Sequence, residues 1–182
     1  MKKNMKKAFT LIETLVAITI LLLAIGGPMY AVSQSLSSAI YARDQITAFY
    51  LAQDAVEYIR NIRDNNALAG SQDWLAGFTG YYSDPGGSDL PFTIDTTQSF
   101  GSGALRHCSG TCPALQYDSA SGQYGYSFDI PSAFTRTITM KKVDLATQDH
   151  EVQIAVDISW KPNIAAAKRD FSIVETLTNW VR

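Results

Sequence analysis

The side chains that could do chemistry are few and scattered. Glu13 is the only side chain from Phe9 to Val32 that is charged at neutral pH, in an otherwise largely apolar run. A carboxylate there costs on the order of 3 kcal/mol to place in a bilayer, so it demands a partner. Cys108 and Cys112 stand three residues apart in a Gly/Ser-rich stretch. Outside the cell they would close a small disulfide loop, with free thiols or a redox pair as the alternatives. His107 and His150 could join them around zinc, but the C-x3-C spacing is unusual and the second half of a finger is missing. Asp84 and Asp89 flank Pro85-Gly86-Gly87 without the regular ligand spacing of a calcium loop, and such turns are ordinarily only turns. Tyr81, Tyr82, Tyr117, Tyr124 and Tyr126 would form either a sticky patch for a partner or the finish of a sheet core. No Ser/His/Asp constellation, phosphate loop or carboxylate pair on a defined scaffold is visible. The sequence therefore points away from catalysis, with no cofactor and no metal expected.

Charge is distributed in blocks that say where the chain resides. Lys2, Lys3, Lys6 and Lys7 crowd the first eight residues, ahead of the apolar run. The 24 residues from Phe9 to Val32 would rise about 36 Å as a helix, enough to cross a hydrocarbon core of about 30 Å once. The positive-inside rule then leaves residues 1–8 cytoplasmic and everything after residue 32 outside. A simple signal anchor would look similar, and so would a cleavable signal peptide, because Ala31-Val32-Ser33 offers small residues for cleavage after Ser33. The whole chain has 15 basic and 17 acidic side chains, net −2. Residues 65–135 carry Arg106 alone against six aspartates, so a phosphate backbone would be repelled, which argues against nucleic acid as a partner of the head.

The elements that follow are legible from periodicity. Ala39, Ala42, Ile46, Phe49, Ala52, Val56 and Ile59 recur at steps of three and four, the stripe of an amphipathic helix over residues 33–66. Glu57 and Arg60, then Arg60 and Asp64, are spaced for surface ion pairs. Gly26, Gly27 and Pro28 are expected to kink or loosen the apolar part, since proline removes a backbone donor. Ten of the 12 glycines fall between Gly70 and Gly125, which predicts a loop-rich region with short extended pieces at Pro91–Asp95 and Tyr124–Ile130. Val152, Ile154, Val156, Ile158 and Trp160 alternate with polar residues, a strand with one buried face. Thr135–Val143 and Phe171–Leu177 are further strands, and a turn over Asp144–His150 makes an antiparallel meander. The expected fold is α+β, a long helix whose second half covers an antiparallel sheet within residues 67–182.

The string KKAFTLIETLVAITILLL resembles the amino-terminal signature of type IV pilins and of type II secretion pseudopilins. The later segments YLAQDAVEYIRNIRD, FTRTI, EVQIAVDISW and ETLTNW are more loosely similar to minor members of that family. The resemblance implies a structural subunit, not an enzyme, with a long amino-terminal helix and a globular head. It implies that prepilin peptidase cuts between Ala8 and Phe9 and methylates the Phe9 amine; the family's usual glycine before the cut is Ala8 here. Glu13 then meets the amine of a neighbouring subunit, two costly groups neutralising each other in an apolar bundle. The implied partners are other pilin or pseudopilin subunits, the peptidase and the assembly platform at the cytoplasmic membrane. The implied product is an extracellular or envelope filament, whether of a pilus, a type II secretion system or a competence apparatus. The alternative of another class is a secreted or membrane-anchored binding module, indifferent to Glu13.

Overall fold

The computed structural model describes residues 9–101, 103–143, 150–162 and 167–180. The leader with Ala8, and residues 144–149 of the expected turn, lie outside these. Helix α1 (Leu11–Leu68) contributes to two compact units, Met1–Arg43 and Asp44–Arg182.

In the first unit every described residue is exposed, leucines and isoleucines included. Gly26, Gly27 and Pro28 all lie inside α1. The hydroxyls of Thr14 and Thr19 donate to the carbonyls of Leu11 and Val16 at 2.8 Å, and Ser33 donates to Met29 at 3.1 Å. These three hydroxyls thereby satisfy themselves on their own helix, as an apolar solvent requires. By length and composition α1 can cross a membrane.

In the second unit α1 buries Ala48, Leu51, Ala52, Ala55, Val56, Ile59 and Ile62. Ala52, Val56 and Ile59 of the expected stripe are buried, whereas Ala39, Ala42, Ile46 and Phe49 are exposed and Asp44 is buried. The 3.6-residue period was read correctly, but several apolar faces in this alanine-rich stretch satisfy it equally. The helix stops at a glycine in the left-handed region. Gly70 has φ 66°, its N–H reaches Ala67 O at 3.1 Å, and Ser71 N–H reaches Asn66 O at 3.0 Å. That pattern closes the last turn and satisfies two orphan carbonyls.

Among the described residues eight strands form one sheet: β1 (Tyr82–Ser83), β2 (Phe92–Ile94), β3 (Leu105–His107), β4 (Ala114–Tyr117), β5 (Tyr124–Gly125), β6 (Ile130–Lys142), β7 (Glu151–Trp160) and β8 (Arg169–Thr178). β6, β7 and β8 make the expected antiparallel meander, with Ile138 opposite Val156 and Val156 opposite Ile173. The other edge of β6 is shared along its length by β4, β2 and β1, of which β1 pairs in parallel. β1, β3 and β4 arise inside the stretch read as loops. They are two to four residues long, too short for an alternation to show. The inward residues of β6 and β7 meet α1 in one core, where each fully buried large side chain is worth about 1.5–3 kcal/mol. At the surface, a Cβ on Gly77, at φ 92°, would lie 2.0 Å from the Phe100 ring, so glycine is favoured there.

Candidate functional site

The start of α1 is built around Thr10. Its Oγ1 accepts from Glu13 N–H at 3.3 Å and its carbonyl accepts from Thr14 N–H at 3.2 Å, so Thr10 is the helix cap. Glu13 is the third residue of the helix, and Thr10-x-x-Glu13 has the sequence form of a capping box. A carboxylate in the first turn also faces the positive end of the helix dipole. Thr10 was overlooked as a functional residue, although that spacing is its signal. The Glu13 carboxylate accepts no hydrogen bond among the described residues, and Phe9 beside it is 74% exposed. From Phe9 to Ile40 the large apolar side chains are exposed, with no cover inside the chain.

The other side chains singled out by sequence are placed in structural roles. Cys108 and Cys112 are joined in a disulfide, so neither holds a thiolate for zinc. His107 stacks on Tyr81, ring centroids 4.1 Å apart. Asp89 pairs with Lys141 at 2.5 Å and Asp84 lies 3.9 Å from Lys142. Among the described residues no cluster of three or more His, Cys, Asp or Glu side chains is arranged to hold a metal ion. Tyr81, Tyr82, Tyr124 and Tyr126 are half-buried against the core, and Tyr117 packs on Tyr124. Arg60 makes the expected pair with Glu57 at 3.4 Å but reaches Glu175 on β8 more closely, at 2.5 Å, a bond that raises its pKa. Asp64 pairs instead with Arg63, whose hydrogen bond holds its carboxyl below the usual range.

One charged group lies where the alternation of β6 calls for an apolar one. Arg136 follows Phe134 and precedes Ile138 on the inward face and is fully buried. Its Nη1 donates to Leu51 O on α1 at 3.0 Å and to Asp54 Oδ2 at 3.4 Å, and its Nη2 donates to Ile94 O on β2 at 2.5 Å. Nε has no partner. Beside it Asp95, also buried, accepts from Thr97 and from Tyr126 N–H. Burial raises the Tyr126 phenol, which bonds Thr93 Oγ1 at 2.5 Å. This network fastens helix, central strand and the β2–β3 connection to one another.

The prokaryotic N-terminal methylation motif matches residues 3–27. No curated protein and no solved structure matches the chain. The matched segment contains Phe9, Thr10, Glu13, Gly26 and Gly27, and it runs into the exposed apolar helix described above. One long helix followed by an antiparallel sheet is a pilin-like α+β arrangement. The motif is that of subunits processed by prepilin peptidase and, in general, assembled with other pilin subunits. The long apolar helix fits a membrane anchor. The chain carries at its amino terminus the prepilin-type signature of type IV pilins and pseudopilins.

Proposed function

We infer that the protein is a minor structural subunit of a type IV pilus or pseudopilus, cut between Ala8 and Phe9 and methylated on the new Phe9 amine. Residues 9–32 anchor it once in the cytoplasmic membrane, head outside, until the assembly platform transfers it to the filament. There the same residues bury their apolar surface against neighbouring subunits. The reading rests on one observation: the methylation motif at residues 3–27 opens a helix whose apolar residues through Ile40 have no cover within the chain. Leaving that many large apolar side chains in water is untenable, while bilayer and helix bundle both remove them from it. In the bundle the Glu13 carboxylate pairs with the Phe9 amine of a neighbour and sets the register. The preference for a minor subunit rests on the carboxy-terminal segments named above.

The amino-terminal residue of the protein recovered from its native membrane tests the reading, by intact mass and terminal sequencing. A chain beginning at methylated Phe9 is expected. A chain beginning at Gln34 would make it a conventionally secreted protein, and an uncut chain a simple anchor. Either would remove the basis for a filament.

A further inference from the structure

Asp54 is held in a way that its place on the outer side of α1 does not require. Its Oδ2 is fixed twice, by the buried Arg136 guanidinium at 3.4 Å and by the Thr96 hydroxyl at 2.5 Å. Its Oδ1 accepts nothing among the described residues, and the side chain is 51% exposed. Asp54 borders a cavity of about 410 Å³ between α1 and the loops that follow β2 and β4. The volume falls in the ordinary range of small-molecule sites. Tyr50 and Tyr124 supply aromatic surface to it, and Thr96, Thr97 and Gln123 supply polar groups. The Gln123 amide has no hydrogen-bond partner among the described residues, so it is free to serve a ligand. Gly122 borders the cavity at φ 74° with open space beside its Cα, leaving the backbone accessible.

The charge of the lining selects the ligand. No Lys, Arg or His lines the cavity, and its one carboxylate is already countered by Arg136. A second full cation would meet the guanidinium's repulsion, and an anion would meet Asp54. What remains is a neutral molecule with several hydroxyl donors and an apolar face for the tyrosines. We propose that this cavity is a binding site for a neutral saccharide, with Asp54 Oδ1 accepting from ring hydroxyls, Gln123 and the threonines completing the polar contacts, and Tyr50 stacking on the sugar face. This activity belongs to the head and is independent of filament formation.

The test uses the full chain in lipid nanodiscs free of glycosidic detergent. Cellotriose, chitotriose and maltotriose are titrated separately by calorimetry, with saturation-transfer NMR to read which sugar protons touch protein. Saturable binding of at least one is expected, weakened tenfold or more by Asp54→Asn and by Tyr50→Ala. Glu57→Gln, outside the cavity lining, should bind as the unaltered chain does. Because Asp54→Asn loosens the Arg136 contact, Tyr50→Ala, at a residue 64% exposed, is the decisive variant and should leave the thermal melt unchanged. Absence of binding by all three sugars would overturn the proposal. Binding indifferent to Tyr50→Ala would overturn it too, as would tight binding of spermidine in place of sugar.

Discussion

Arg136 makes three bonds that no apolar side chain could make, at the cost of burying a guanidinium with one unpartnered nitrogen. Buried ion pairs often contribute little net stability, yet removing one member leaves the rest stranded. Arg136→Ala opens a cavity and orphans the buried Ile94 carbonyl, so it should cost about 3 kcal/mol. Arg136→Met refills the volume and should cost about 1 kcal/mol. Urea midpoints read by tryptophan fluorescence check both; a larger loss in Met than in Ala would mean that the emptied volume is not what sets the cost of losing Arg136. Tyr126 gives a pH signature. Its raised pKa means that the unfolded phenol ionises first, at about 10. Its contribution is therefore complete below that pH and declines as pH rises from about 10 toward the folded value. Tyr126→Phe should lose about 1 kcal/mol at neutral pH with the Thr93 bond, and then lose less than the unaltered chain between about pH 9 and 11.

At the scale of elements, the disulfide closes a short loop beside β3 rather than tying elements together. With a sequence separation of 4 it removes only a little chain entropy, and Cys108→Ser with Cys112→Ser should cost about 2 kcal/mol. The loss should be local. Exchange of the Cys108 amide, which donates to Pro91 O at 2.9 Å, should quicken while β7 amides keep their protection. Uniform loss of protection would show that the loop is part of the global cooperative unit. β7 was legible in the sequence because ten residues alternate without interruption over one buried face. β3 was not, since its three residues are specified by pairing with β2, a non-local event that leaves no local pattern. The same division holds for the sites. Glu13 was visible because a lone carboxylate in an apolar run is conspicuous. Arg136 was visible only as the wrong residue type at an inward position of FTRTITM, and its partners are 82 and 85 positions away.

For the whole molecule, the open matter is what the Glu13 carboxylate does, because two roles fit its position. Inside the chain, Glu13 N–H donates to Thr10 Oγ1, a spacing from which a side chain at position 13 can reach back to the Thr10 N–H, and the carboxylate faces the positive end of the helix dipole at a gain of up to about 1 kcal/mol. Between chains, in the filament proposed above, its charge would pair with a neighbour's Phe9 amine. Glu13→Ala abolishes both roles and should leave the protein inserted but absent from filaments. Glu13→Gln separates them, because glutamine serves a capping box as glutamate does but carries no charge. Filament content in sheared preparations from cells, against the membrane-bound pool, is the readout. If register is set by charge, Glu13→Gln should fall below about a tenth of normal incorporation, as Glu13→Ala does, because an unpaired amine in an apolar bundle costs more than about 1.4 kcal/mol, a factor of 10. Normal incorporation of the glutamine variant would reduce Glu13 to a helix cap, leaving the apolar surface of residues 9–32 to assemble subunits without a fixed register.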